Sequence, residues 1–418
     1  MLIDNRIHVP PFYDSMQPPA VGASFVDPTF GTIIRRVSDA AHTVDAAYGN
    51  RNLPWISTEY STAAPWNSDN SRLLLLHGSY FGLYDAQGRF LTSLPLEITA
   101  SSEPRWSRKD ADTVYYVSGN QLRWYNTLTG SKAVVHAFDE YEVIHGLGES
   151  DISMDGNHFV FIGDDLFVFV YTISADKCST AFDIEGHGID SLYLTPRNNV
   201  LVQWLDKDPA WNGTAAPKFR GVEMFDANMK FQRQVFRANG HKDVMICNGE
   251  EYLIITNSDE PAPTVGKNAI IKVRLSDCRQ TCLLELGWTE PNPLAVHISC
   301  PDSGGFCFVE TYAPDNPAAA QFAPYTNELL RVRLDGSQVQ RLAHHRARPF
   351  DGAAYPGQPR ISCSRDGSRF VYSSDFNESA VPNYNDVYMA MIGAAPNPHP
   401  PVPPRPPRPP HLKEGIGL

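Results

Sequence analysis

The sequence predicts an all-β chain: a seven-bladed β-propeller closed by an N-terminal strand, with an extended proline-rich C-terminal tail. Three observations predict it. One strand–turn–strand pattern recurs seven times, and its last copy is one strand short. No segment keeps a helical apolar period over three turns. Residues 396–411 include ten prolines in sixteen positions. A period of about 40–50 residues with four strands per repeat is that of a propeller.

The copies follow in order, each a short strand and a tight polar turn before an apolar strand. Pro65-Trp66-Asn67-Ser68-Asp69-Asn70 precedes Leu73-Leu74-Leu75-Leu76, and Arg105-Trp106-Ser107 with Asp110 precedes Val114-Tyr115-Tyr116-Val117. Asp151-Ile152-Ser153-Met154-Asp155-Gly156 precedes Phe159-Val160-Phe161-Ile162, and Leu192-Tyr193-Leu194 with Asn198 precedes Val200-Leu201-Val202. Met245-Ile246-Cys247-Asn248-Gly249 precedes Tyr252-Leu253-Ile254-Ile255, and His297-Ile298-Ser299-Cys300 with Asp302 precedes Phe306-Cys307-Phe308-Val309. The seventh is Ile361-Ser362-Cys363-Ser364-Arg365-Asp366-Gly367 before Phe370-Val371-Tyr372. Third strands end in turns such as Asp85-Ala86-Gln87-Gly88 and Asp335-Gly336, whose residues tolerate the positive φ of tight hairpins.

The seventh copy ends at Val387-Tyr388-Met389-Ala390-Met391-Ile392, so its fourth strand has to come from elsewhere. Residues 31–37 are the expected donor, because closure from the other terminus removes both sheet edges. The chain then divides into an N-terminal wrapping segment (1–53) that includes the closing strand, the propeller (54–392) and the tail (393–418).

The run Ser364-Arg365-Asp366-Gly367-Ser368-Arg369-Phe370-Val371-Tyr372-Ser373-Ser374-Asp375 resembles the blade motif of TolB-like propellers, a blade style shared by oligogalacturonate lyases. The resemblance extends as a repeat pattern over roughly residues 55–392. Those lyases carry a metal held in part by a Gln followed closely by a His in the last blade. Gln358 matches that Gln, but Pro359 and Arg360 stand where the family has its His.

Composition excludes some classes. A net charge of −12, with no basic stripe outside the tail arginines, argues against a nucleic-acid partner. No apolar run reaches the length of a membrane span. The first six residues lack the apolar core of a secretory leader, yet an extracytoplasmic location is the expectation. Seven cysteines leave at least one without an intrachain partner. Cys278 with Cys282 and Cys300 with Cys307 flank short turns, and each pair reads equally as a local disulfide or as small core residues.

Loop lengths point to one face. In a propeller the loop leading into the first strand of a blade and the loop between strands two and three share a face, and here both are long. Examples are 138–148, 206–220, 258–267, 286–296, 313–326, 344–358 and 375–385. Long loops in a compact domain are usually functional, so any site is expected at the channel mouth on that face. The side chains expected there are Glu103, Arg105, Glu149, Asp151, His187, Asp190, His241, Asp243, His297, Gln358 and Arg360. For an acidic oligosaccharide, Arg and His neutralise a uronate carboxylate while a His or Tyr removes the neighbouring proton; His241, His297 and Arg360 are the catalytic candidates. Trp211, Trp288, Tyr312 and Tyr325 on long loops are candidates for stacking on sugar rings. Imidazoles with a carbonyl oxygen also suit a divalent metal, but two histidines in adjacent blades do not complete a ligand set. His344-His345 reads as a solvated loop pair, and Asn212-Gly213-Thr214 and Asn377-Glu378-Ser379 fit the glycosylation pattern.

Two functions follow. One is a non-catalytic propeller for binding or self-assembly, whose segment 396–418 connects to a neighbouring chain in an oligomer or filament. The other is a lyase for uronate-containing oligosaccharides. The tail's prolines impose an extended polyproline II path, and its end carries Leu412, Ile416 and Leu418.

Overall fold

The computed structural model describes residues 2–208, 216–257, 268–286, 294–313, 318–348, 357–376 and 384–392. Trp211, Trp288, both glycosylation-type motifs and the whole of 393–418 lie outside these residues. Among the described residues seven antiparallel blade sheets of four or five strands follow one another along the chain, and a two-stranded ribbon, Val44–Asp45 with Arg51–Asn52, precedes blade one. Blade one, for example, runs Ile56–Ser57, Arg72–His77, Tyr80–Asp85 and Phe90–Ser93.

Blade strands read as unbroken apolar runs because both of their faces are buried. Side chains alternate along a strand, so Leu73 and Leu75 join one core with Trp66, Val371 and Val387. Leu74 and Leu76 join a second core with Trp106, Val114 and Tyr116. One four-leucine run therefore glues blade one to blade seven on one side and to blade two on the other.

Ring closure follows the expectation and adds to it. Ile33–Arg36 lies antiparallel to Asp386–Met391, with Ile34 opposite Ala390 and Arg36 opposite Tyr388. Ser24–Val26 then pairs outside it as a fifth strand. The seam is pinned by Asp386, which accepts from Arg36 Nη2 and Tyr384 Oη at 2.6 Å and from Ser38 Oγ and the Ala40 amide at 2.9 Å. Blade three also departs from the simple repeat. Its outer edge is two short pieces, Lys177–Cys178 and Phe182–Asp183, both paired with Phe167–Thr172.

The N-terminal segment is strapped to blade six. Leu2 bridges to Arg341, whose guanidinium is fully buried and reaches Glu328 Oε2, Asp4 Oδ1 and the Arg6 carbonyl, each at 2.7 Å. This cover corrects the expectation for His344 and His345. Both are fully buried; His344 Nε2 lies 3.0 Å from the His8 carbonyl and His345 Nε2 lies 3.0 Å from the Thr311 carbonyl. All seven cysteines are free thiols. Among the described residues no helix is long and apolar enough to cross a membrane.

Candidate functional site

The inner strand of blade one is interrupted. Ile56–Ser57 pairs with Leu76 and His77, the chain then leaves the sheet, and Trp66 rejoins it opposite Leu73. The excursion carries Glu59 and Tyr60 into the axial channel, where they meet other blades.

Tyr60 Oη lies 3.1 Å from His241 Nδ1, at the start of the inner strand of blade five. The His241 ring stands edge-on to His297 of blade six, with centroids 4.7 Å apart and planes at 84°. His297 is fully buried, with Nδ1 2.9 Å from Glu310 Oε1 and its ring stacked on Tyr312 at 5.6 Å. Glu310 Oε2 accepts the Ile361 amide at 2.9 Å, which leaves Oε1 for an Nδ1–H of His297. Burial, aided by His297 and Lys242, pushes the His241 imidazole down to about 3, so it is neutral at pH 7.

Beside this group the charges are already matched. Arg105 Nη1 lies 2.9 Å from Glu59 Oε2, its Nη2 donates to the Gly148 carbonyl at 2.8 Å, and its Nε donates to Ser150 O. Burial pushes the Glu59 carboxyl up to about 7 against the opposing pull of Arg105. Arg360 is buried, donating from Nη1 to the Glu59 carbonyl at 2.7 Å and from Nη2 to Ser57 Oγ at 3.0 Å. Both Glu103 oxygens accept the Gly146 amide. Glu149 accepts Tyr193 Oη at 2.6 Å. Buried Lys242 donates to Ser191 Oγ at 2.5 Å, and its Nζ sits 4.6 Å from the centre of the Tyr193 ring. Asp190 accepts from Gln203 Nε2 and lies 4.0 Å from Lys242 Nζ. Asp243 is buried with its oxygens on the Val244 and Cys300 amides; burial, reinforced by Asp151 and Asp302, holds its carboxyl well above the usual range.

The far end of the channel is ionic. Arg108 of blade two reaches Asp302 of blade six at 2.5 Å, and Arg365 of blade seven reaches Asp151 of blade three at 3.1 Å. These blades are not neighbours, so both pairs cross the lumen. The cavity bordered by Arg108, Asp151, Asp243, Asp302 and Arg365 holds about 60 Å³, room for a few waters.

The expected residues thus separate. His241 and His297 meet. His187 instead stacks on Phe219, ring centroids 3.7 Å apart. Tyr325 offers no open face for a sugar: it is buried under the Arg341 guanidinium, with its hydroxyl 3.5 Å from the Asp4 carbonyl. Gln358 is half-buried at the start of blade seven. Glu59, Tyr60, Lys242 and Glu310 were not singled out by sequence. The one available signal was Thr58-Glu59-Tyr60-Ser61-Thr62, a polar run where an inner strand should be regular.

No family model and no curated protein sequence matches the chain. Among solved structures, several share the propeller fold. An oligogalacturonate lyase in complex with manganese superposes with a TM-score of 0.59 at 13% identity, covering 88% of this chain and 96% of that one. The oligogalacturonate lyase of Vibrio parahaemolyticus gives 0.58 at 12% identity with the same coverage of both chains. The β-propeller domain of Cps50 (Swd1) from Myceliophteria thermophila gives 0.50 at 10% identity, covering 80% of this chain and 96% of that one. Identities this low establish the fold alone.

A metal like that of the first structure finds no ligand set: among the described residues no three His, Cys, Asp or Glu side chains converge as one. The carboxylate nearest the histidine pair, Glu310, is occupied by His297 Nδ1 and the Ile361 amide, and Arg360 follows Gln358 as a buried cation bonded to Glu59 and Ser57.

Proposed function

We propose that this propeller is a non-catalytic scaffold for binding or self-assembly, with the proline-rich segment 396–418 as connector to a neighbouring chain. One observation carries the reading: the channel's arginines are directed at the protein's own carboxylates, carbonyls and hydroxyls. Arg105 holds Glu59, Arg108 holds Asp302, Arg365 holds Asp151 and Glu310 holds His297. A site for an acidic substrate needs cations directed at the substrate, and here Arg105 and Arg360 are directed at the protein. The test is truncation after Ala395 followed by mass measurement in solution and electron microscopy. The shortened chain should stay folded and become monomeric. A full-length protein already monomeric at high concentration, or one whose assembly survives truncation, defeats the reading.

A second reading, a lyase for uronate-containing oligosaccharides, is favoured by His241. It is a neutral imidazole, only partly covered, at the elaborated end of the channel, and the superposed lyases share the fold. It requires His241→Ala or His297→Ala to lower activity at least about a hundredfold, as for loss of a general base, with little change in melting temperature. Absence of unsaturated products from every uronate-containing oligosaccharide offered would remove it.

A further inference from the structure

The N-terminal strap is amphipathic in an unusual sense. Its first residues are extended, so alternate side chains face opposite ways. Leu2, Asp4, His8 and Pro10 face the body: Asp4 is on Arg341, the His8 carbonyl meets His344 and Pro10 is buried. The opposite face would ordinarily be polar, yet it carries Ile3, Ile7 and Val9, all exposed. Phe12, in the turn at 11–15 that follows, is 72% exposed, and its φ of 55° lies in the left-handed region that bulky residues avoid. Four exposed apolar side chains within ten residues make a patch of the kind that marks an interaction surface.

We propose that this outward row, Ile3, Ile7, Val9 and Phe12, seats the proline-rich segment 396–418 of a second copy; the inference rests on the self-assembly reading above. The chemistry of the segment matches the row. Three residues per turn of polyproline II put Arg405 and Arg408 on one edge, Pro403, Pro406 and Pro409 on the next, and Pro404, Pro407 and Pro410 on the third. Two proline edges together want an apolar surface bearing an aromatic ring. The arginine edge wants acid, and Asp14 stands two residues from Phe12; one of its oxygens pairs with Arg348 at 3.0 Å, and its side chain is 82% exposed, open to a second cation. The charge balance agrees. Residues 393–418 hold Arg405, Arg408 and Lys413 against Glu414, a net of +2, so residues 1–392 carry −14 of the chain's total of −12. Proline-rich sequence favours polyproline II before binding, so docking such a segment costs little ordering entropy. A tail from one copy on the strap of the next is a head-to-tail contact, and such contacts propagate when the rotation does not close.

Two measurements test this together: the mass in solution of full-length protein and of its Ile7→Asp/Phe12→Asp variant, and the fluorescence anisotropy of a labelled peptide of residues 396–418 titrated with protein truncated after Ala395. The double variant should be monomeric with an unchanged melting temperature, since both side chains are exposed. The same substitutions in the truncated protein should weaken peptide binding at least tenfold. Peptide binding that ignores the substitutions, with assembly still lost on truncation, places the seat elsewhere and overturns this inference while leaving the connector reading intact. Assembly that survives truncation defeats both. A monomeric full-length protein that no longer takes up the peptide, when the truncated protein does, means each tail lies on its own strap, which overturns the second copy as occupant.

Discussion

The two ends of the axial channel bury polar groups in different ways. At the far end, Arg108, Arg365, Asp151 and Asp302 form ion pairs that cross the lumen between non-adjacent blades. At the elaborated end, Tyr60, His241, His297 and Glu310 form a linked group in which His241 stays uncharged at neutral pH. The difference teaches where the ring is intolerant. An ion pair out of water is held only while both members are present, and removing one strands a charge. A neutral hydrogen bond can be deleted at the price of one polar group.

The largest expected effect is therefore at the ionic end. Asp151 faces Arg108 and Arg365, with Arg105 also nearby. Asp151→Ala should destabilise by about 2–4 kcal/mol, between the range for an exposed pair and that for a fully buried pair broken on one side, since its side chain is 16% exposed, measured by chemical denaturation. A loss under about 1 kcal/mol would mean that water screens these charges as it does on a surface, and the contrast between the two ends would collapse.

The second effect is on pH. The folded His241 resists protonation down to about 3, whereas an unfolded histidine takes a proton near 6.5. Between those values the unfolded chain binds more protons, so this group's contribution is complete above 6.5 and is lost as pH falls towards 3. At pH 5 it amounts to about 2 kcal/mol relative to pH 7. His344 and His345, pushed down to about 3 and about 4, act in the same direction. The measurement is thus the difference between wild type and His241→Gln, whose stability curve should be flatter over that window. Parallel curves would show that His241 is not held neutral by its surroundings.

A smaller effect is expected at Glu310, which orients His297 and caps the Ile361 amide. Glu310→Gln keeps the shape but loses the charge-assisted bond, at about 1–2 kcal/mol. A loss as large as that of Asp151→Ala would make this end ionic too.

The contrast also marks what the sequence discloses. The repeat yields the blades because each copy carries a turn signal and a strand buried on both faces, and a missing strand can be counted. Side-chain partners across the channel cannot be counted that way. Arg108 and Asp302 are 194 residues apart, and no local pattern records that they meet. The same holds for Tyr60 and His241. His344 and His345 misled for a related reason: His344 ends a strand under the His8 carbonyl and His345 packs on Thr311, and neither contact is local in sequence. Ser24–Val26 was missed as a strand because an outermost strand needs no apolar alternation.

The smallest effect is at Tyr60. Its hydroxyl lies 3.1 Å from His241 Nδ1, and its ring stands edge-on to His297 at 5.8 Å. Tyr60→Phe keeps the ring contact and deletes the hydroxyl. His241 is only partly covered, so water can take over the freed nitrogen. The expected loss is about 0.5–1.5 kcal/mol, the net worth of one neutral hydrogen bond. The scaffold and lyase readings separate here. In a scaffold the hydroxyl is one bond among many, and binding or assembly at the strap should be untouched. In a lyase the hydroxyl helps fix which nitrogen of His241 carries the proton, so its loss should displace the pH–rate profile while stability changes little. A stability change within the stated range, with assembly intact, matches the scaffold. A displaced profile for release of unsaturated uronate would assign Tyr60 as a positioning residue for the imidazole and reverse the preference between the two readings.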